Sequence, residues 1–285
     1  LYLGTELGLF ISTNGGANWT ELRANLPTLA INDLLVHPRD NELVIATHGR
    51  GIWILDDVNA LQELTPAVRA SASHLFRIEP AYQVRLAAEK AHMGDMVFRG
   101  ENPPTGAIIN FWPKDAATKP TFTVQDASGR TVATLSPTVR AGVNRFVWAL
   151  RHDPLPTGAS GGGDDDEGGS GTARALPGPL VLPGTYTVRM SVGGVQRTQT
   201  VRVMDDPRIS VTPVVRAQWT ADLTRIAEVY RSAVDLNRAK NSAETRELLR
   251  RVGSLYSAVS GWTGPMTSDQ NAQLQYFTRK IAELR

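Results

Sequence analysis

The residues whose types could do chemistry are few and scattered. His48 and Arg50 stand two apart in Thr47-His48-Gly49-Arg50-Gly51. An arginine there could clamp a carboxylate or sugar hydroxyls through its planar fork, so the pair is the candidate binding site. Arg50 could equally bridge to Asp56 or Asp57, or bond loop carbonyls at a strand turn. Asp56-Asp57 has the composition of a glycosidase carboxylate pair. Neighbours along an extended chain point to opposite faces, however, which suits a helix-capping or linker role better. Asp164-Asp165-Asp166-Glu167 offers hard oxygen donors, yet calcium loops space their ligands and these acids are contiguous between glycines. That run reads as a solvated, disordered insertion over 158–175. The five histidines (37, 48, 74, 92 and 152) lack ligand spacing. No phosphate loop, dinucleotide fingerprint, zinc-protease motif or Ser/His/Asp arrangement occurs. No catalytic residue is assigned, and no metal or cofactor is implied.

The elements that must position these residues are bounded by composition. The chain has 285 residues, 41% hydrophobic and 20% charged, which suits two or three folded domains. It has no cysteine, so a disulfide scaffold, a thiol nucleophile and a Cys-ligated metal site are excluded. The formal charge of +2 argues against nucleic-acid binding. No apolar run is long enough to span a membrane as a helix. The net charge divides as −5 over 1–64, +2 over 65–207 and +5 over 208–285. Leu1-Tyr2-Leu3 reads as the middle of a strand, so the chain is expected to be a fragment or processed form.

Leu1–Glu6, Gly8–Ser12, Ile31–His37, Leu43–Thr47 and Gly51–Leu55 are short strand-like runs separated by turn residues. An internal repeat aligns 1–12 with 43–55, one residue being inserted in the second copy. The offset is the period of a propeller blade. Ser12-x-Asn14-x-Gly16-x-x-Trp19 resembles the Asp-box (BNR) motif of sialidase-like and sortilin-like propellers, with Asn14 in the usual Asp position. That motif sits on the turn between the third and fourth strands of a blade and is structural. The resemblance implies that Ser12, Asn14 and Gly16 shape a turn and that Trp19 fills the space between sheets. Gly49 to Asp57 resembles the closing blade of bacterial BNR proteins labelled glycosyl hydrolase.

Strand patterns continue through Leu75–Ile78, Tyr82–Leu86, Gly106–Trp112, Thr121–Gln125, Thr131–Leu135, Asn144–Leu150, Gly184–Val192 and Val195–Met204. Hairpin turns are expected at Asp126–Gly129 and Gly193-Gly194. The pattern suits an Ig-like or fibronectin III-like sandwich. Ala141–Trp148 and Leu182–Val188 resemble the Ig-like module of flagellar hook-capping proteins, with Trp148 as a core anchor. Beyond Thr212-Pro213, apolar residues recur every three or four positions in three stretches. Trp219, Leu223, Ile226, Tyr230 and Val234 mark the first. Leu248, Val252, Leu255 and Val259 mark the second, with Asn241 and Glu244 as the expected cap. Leu274, Phe277, Ile281 and Leu284 mark the third, opened by the capping box Thr267-x-x-Gln270.

The fold class expected is mainly β with an α-helical C-terminus. The parts are incomplete propeller blades (1–64), a connector (65–92), an Ig-like sandwich carrying the insertion (93–207) and a three-helix hairpin or bundle (208–285). The resemblance implies the C-terminal part of a secreted bacterial glycosyl-hydrolase-like protein, extracellular, periplasmic or in the cell envelope. This part would bind substrate or serve structure without a complete active site, and would be inactive alone. The alternative is a non-catalytic, sortilin-like protein that binds peptides or proteins. The partners implied are a carbohydrate or peptide ligand and further upstream blades of the same protein. Homo-oligomerisation through the helical end stays open.

Overall fold

Alternating apolar residues in the first 55 positions make six short strands. They are β1 (Tyr2–Thr5), β2 (Gly8–Ile11), β3 (Thr20–Glu21), β4 (Ile31–Val36), β5 (Leu43–Thr47) and β6 (Ile52–Leu55). Each consecutive trio forms an antiparallel three-stranded meander, β1-β2-β3 and β4-β5-β6. The structure is a computed structural model that describes residues 1–23, 25–84, 100–115, 117, 119–157 and 175–285. The insertion expected at 158–175 therefore lies, except for its last residue, outside the described residues.

The two meanders pack face to face. In the first, the pairs Tyr2↔Ile11 and Gly4↔Leu9 share one face. In the second, Leu43↔Leu55 and Ile45↔Trp53 share one face. Leu9, Ile31, Leu43 and Ile45 are buried together, with Tyr2, Leu34, Val36, Trp53 and Leu55 around them. Gly4 permits the approach, since a Cβ there would lie 2.6 Å from the Ile31 side chain. A glycine in a strand is costly unless such a close contact requires it.

Two short helices, α1 (Asn59–Glu63) and α2 (Pro66–Ala70), follow. Next come β7 (Ser73–Leu75), β8 (Ala81–Gln83), β9 (Ala107–Pro113), β10 (Thr121–Gln125), β11 (Thr131–Leu135), β12 (Asn144–Trp148), β13 (Gly184–Val192) and β14 (Val195–Asp205). They form a five-stranded sheet, β11-β10-β13-β14-β8, and a three-stranded sheet, β12-β9-β7. Aromatic rings join the two sheets. Phe122 of β10 meets Phe111 of β9 at 5.0 Å and Phe146 of β12 at 4.7 Å, both edge-on. Trp148 of β12 meets Tyr186 of β13 at 5.4 Å. Edge-to-face contacts of this kind add about 1 kcal/mol each beyond burial. Trp148 is buried, as the sequence predicts.

The stretch read as a connector holds α2, β7 and β8. Its strands are three residues long and borrow distant partners: β7 pairs antiparallel with β9, and β8 pairs parallel with β14. Periodicity cannot signal pieces that short.

The chain divides into two compact units, Leu1–Ala149 with Gly184–Asp206, and Leu150–Pro183 with Pro207–Arg285. Residues 150–157 and 175–183, expected within the sandwich, fall in the second unit with the helices. Three long helices dominate the second unit: α3 (Pro213–Lys240), α4 (Ala243–Ser260) and α5 (Ser268–Glu283). The expected apolar stripes form its core, and Leu155, Leu176 and Leu180 from the crossing segment pack against them. Trp219 Nε1 donates to the Val259 carbonyl at 2.8 Å, tying α3 to α4. Tyr256 donates to the Pro177 carbonyl at 2.8 Å, and burial pushes its phenol up to about 12. Thr267 and Gln270 form the expected capping box.

The cap of α4 differs from expectation. Asn241 adopts a left-handed conformation (φ 44°) and ends α3. Ser242, in extended backbone, then caps α4 with Thr245 as its reciprocal partner. The left-handed turn belongs to a helix end, and Asn tolerates it well. The basic edge of Arg246, Arg250 and Arg251 is occupied locally. Arg250 pairs with Glu247 at 2.7 Å, Arg246 donates to Asn241, and Arg251 lies over the Tyr276 and Phe277 rings.

Both expected hairpins are present. Gly193 and Gly194 have positive φ (55° and 78°) between Val192 and Val195, as a mirror-image two-residue turn requires. At the β10–β11 turn, Asp126 Oδ1 accepts from Ser128 Oγ (2.6 Å), Ser128 N (2.9 Å) and Arg130 N (3.1 Å). These bonds, that from the Ser128 hydroxyl first, hold the Asp126 carboxyl down at about 2. A carboxyl depressed on folding stabilises the fold above its ordinary titration range, and that contribution is lost as pH falls toward about 2. An NMR titration is expected to find Asp126 among the most acidic carboxyls, and Ser128→Ala is expected to move it back toward the ordinary carboxylate range.

Candidate functional site

Four loops of the first unit converge on one cleft of about 280 Å³. The β4–β5 turn supplies Arg39, Asp40 and Glu42. The strand end after β6 supplies Asp56 and Asp57. Glu79, Pro80 and Tyr82 come from the entry to β8, and Pro103 to Gly106 from the approach to β9. Met204 of β14 completes one wall. The cleft lining combines five carboxylates and Arg39 with proline, tyrosine and methionine side chains.

The carboxyl groups are in different states. Asp40 is gripped by Arg39, with Nη2 to Oδ2 at 2.7 Å, and this hydrogen bond holds it below the ordinary carboxylate range. His37 Nδ1 also approaches it at 3.2 Å. Glu79 accepts from Asn59 Nδ2 at 2.7 Å and pairs with Arg77 at 3.1 Å. Glu42 and Asp56 have no ion-pair or hydrogen-bond partner for their carboxylates among the described residues. Burial first, then the negative charges of Asp56 and Asp40, push the Glu42 carboxyl up.

Asp57 is the most constrained of the five. It is 5% exposed and has φ 50°, a conformation few residues with a side chain adopt. Its Oδ1 accepts from Asn59 N at 3.0 Å, which settles a free N–H at the start of α1. Its Oδ2 accepts from Asn110 Nδ2 at 2.7 Å. Arg145 Nη2 donates to the carbonyls of Asp56 (2.7 Å) and Asp57 (2.8 Å), while its Nε donates to Asn110 Oδ1 at 3.0 Å. The turn after β6 is thereby fastened to β9 and β12. Burial raises the Asp57 carboxyl despite the Asn59 N–H and the Arg145 charge, which oppose the rise. Asn59 is fully buried and extends the network, accepting from Asn41 Nδ2 at 2.9 Å and from Arg77.

The sequence-derived candidates fall elsewhere. His48 and Arg50 are exposed on the β5–β6 turn, outside the cleft lining. The Arg50 carbonyl accepts from Trp53 Nε1 at 3.1 Å, so the residue contributes backbone to its turn. Arg50 makes no bridge to Asp56 or Asp57, where Arg145 occupies the carbonyls. Asp57 lies one residue before the N-cap of α1, Val58, and its Oδ1 accepts from the first helical N–H, that of Asn59.

The residues resembling an Asp-box form a knitted turn between β2 and β3. Gly16 N donates to Ser12 Oγ at 2.8 Å, Ser12 Oγ to Asn14 Oδ1 at 3.0 Å, and Asn18 N to Asn14 Oδ1 at 2.9 Å. Gly16 has φ 97°, which a side chain would strain. Trp19 departs from expectation. It is 41% exposed and lies against Gly16 rather than between sheets. Its indole lies over the turn instead of entering the core.

Sequence reasoning missed Asn59, Asn110 and Arg145. Single polar residues in apolar strands carry no spacing signal, although an asparagine amid Ile108-Ile109-Phe111 is itself a prompt to look for a buried partner. Among the described residues no cluster of His, Asp or Glu is arranged to hold a metal ion, and no helix is long and apolar enough to cross a membrane. No family model matches this chain, and no curated protein matches it.

Replacing Arg145 with Ala would leave two carbonyls and the Asn110 amide oxygen short of a donor. Arg145 is exposed and water can reach part of the gap, so the expected loss is about 1–3 kcal/mol in total, read by urea unfolding. His48→Ala and Arg50→Ala are expected to change stability by no more than about 0.5 kcal/mol, as exposed positions do.

Proposed function

We propose that this chain is a non-catalytic structural and ligand-binding part of a BNR-type propeller protein. Its two meanders are read as parts of adjacent blades. With the box-like turn between the third and fourth strands, β1-β2-β3 supplies strands two to four of one blade. The second meander, β4-β5-β6, supplies strands one to three of the next. The five- and three-stranded sheets, joined by Phe111, Phe122, Phe146 and Trp148, are read as an Ig-like sandwich. A place outside the cytoplasm rests on the same resemblance.

The observation that carries the non-catalytic reading is the state of Asp57. The one fully buried carboxyl of the cleft spends both oxygens on Asn59 and Asn110. A general acid or nucleophile needs an oxygen free to meet substrate. Asp57 is thereby removed as an acid or nucleophile, and the glycoside arm of the test below asks whether Glu42 and Asp56 supply either role.

For the ligand, the unpaired carboxylates of Glu42 and Asp56 favour the peptide alternative over a neutral sugar. Sharing the cleft lining with Tyr82, Pro80 and Met204, they suit a cationic group on an apolar stem, as in lysine or arginine side chains.

Fluorescence anisotropy with a labelled lysine-rich peptide, its glutamine-substituted control and neutral oligosaccharides tests this reading. The lysine peptide is expected to bind more weakly as salt rises. The double change Glu42→Gln and Asp56→Asn is expected to weaken it by roughly tenfold. Chromogenic glycosides are expected to remain intact. Sugar release by the chain, or equal binding of the glutamine control, would overturn the proposal.

A further inference from the structure

A second concavity, of about 230 Å³, opens between the β2–β3 turn and α2. The turn and the first residue of β3 supply Thr13, Asn14, Asn18 and Thr20, and α2 supplies Arg69. Ile11 of β2 also lines it. Ile11 shares its face of the strand with Leu9, which is packed against the second meander. The pocket is therefore built by this chain alone, and it shares no residue with the acidic cleft.

Its charge runs against its surroundings. Residues 1–64 carry a net charge of −5, yet no carboxylate lines the pocket. Glu21, next to Thr20, pairs with Phe10 rather than Ile11, so it lies on the opposite face, where it holds Arg23 at 2.8 Å. Arg69 donates to Thr13 Oγ1 at 3.3 Å and has no ion-pair partner among the described residues. A guanidinium has five N–H donors, so most of them stay available. Asn14 Oδ1 is used inside the turn, by Ser12 Oγ and Asn18 N. The amide N–H groups of Asn14 and Asn18 have no partner among the described residues. Asn14 also stands where the resembled motif carries Asp. An Asp would accept the same two bonds but would place a carboxylate in the pocket with Arg69. The amide keeps the turn and leaves the cation without an internal counter-ion.

We propose that this pocket binds one tetrahedral oxyanion, sulfate or phosphate, as the free ion or as a terminal monoester. A guanidinium ringed by amide and hydroxyl donors recognises negative oxygen, and charge-assisted bonds of this kind are the strong ones. The donors come from two elements, the turn and α2, which suits the several oxygens of a tetrahedral anion better than the two of a carboxylate. The volume lies below the roughly 300–1,000 Å³ of a pocket for a drug-sized molecule, so one charged group enters and not the molecule that carries it. Arg69 is exposed, so salt screens the attraction and binding weakens as ionic strength rises. The cleft reading concerns a cation held by other residues, so either can fail alone.

NMR titration of the full chain tests it, with sulfate, inorganic phosphate, methyl sulfate and methyl phosphate as probes and ionic strength held constant with sodium chloride. Acetate is the planar control. Sulfate or phosphate is expected to shift the side-chain N–H signals of Asn14, Asn18 and Arg69 saturably in the millimolar range. The esters separate the sources: binding of ester and free ion alike supports a terminal ester, and binding of the free ion alone supports the inorganic ion. Arg69→Gln and Asn14→Asp are each expected to weaken binding roughly tenfold or more. Asn14→Asp is expected to leave thermal unfolding unchanged, because its carboxylate still accepts from Ser12 and Asn18, so loss of binding there is not loss of fold. The absence of saturable shifts overturns the proposal. So does acetate binding as tightly as sulfate and phosphate, or binding that survives either substitution.

Discussion

Burying the carboxyl of Asp57 is the constraint on which the first unit turns. A carboxylate taken out of water costs several kcal/mol unless hydrogen bonds and opposite charge replace its hydration. A positive φ on a residue with a side chain adds about 1–3 kcal/mol. Arg145, Asn110 and the Asn59 N–H offset part of the burial cost, the carboxyl staying raised, and in doing so join the meander end to β9 and β12. Such a network specifies geometry more than it adds stability. Its donors and acceptors are satisfied in one arrangement only, so sliding the turn by one residue would strand several buried polar groups at once. The cleft beside it inherits this rigidity, because Asp56 and Glu79 are held by the same partners.

The polar lock and two exposed isoleucines lie on one short piece of chain. The strand β6 exposes Ile52 and Ile54 and then ends at Asp56-Asp57. Leaving side chains of that size in water forgoes about 1.5–3 kcal/mol each relative to full burial. The first meander shows what the same pattern does when it is covered. Gly4 lets the sheets close until Leu9 is buried. The difference between covered Leu9 and open Ile52 comes from neighbours and not from residue type.

The helical unit obeys local rules more closely. Thr212 with Pro213, and Thr267 with Gln270, mark helix starts through hydrogen bonds that span only three or four residues. The stripes of Trp219, Leu248 and Phe277 point inward as their spacing requires. The one displaced cap, at Ser242 rather than Asn241, arose where a left-handed residue served the end of the preceding helix. Residues 150–183 were harder to place. Their described residues, 150–157 and 175–183, join the helices through long-range bonds such as Tyr256 to Pro177 and Arg216 to Val181 and through the packing of Leu155, Leu176 and Leu180.

The sequence by itself determined the strands of the repeat, the two glycine or aspartate hairpins, the three long helices and the knitted turn at Ser12, Asn14 and Gly16. Each depends on contacts within about one turn or one hairpin, which spacing and residue type encode directly. The tertiary structure alone decided which polar residues matter. His48 and Arg50, two apart in sequence and suited to binding, stand exposed on a hairpin. Asp57, Asn59 and Asn110 are buried and meet the exposed Arg145 in one network drawn from positions up to 88 residues apart. It also decided that Trp19 covers a turn and that β7 and β8 pair with distant strands. Burial and charge pairing depend on what folds against a residue, and a linear pattern does not carry that information.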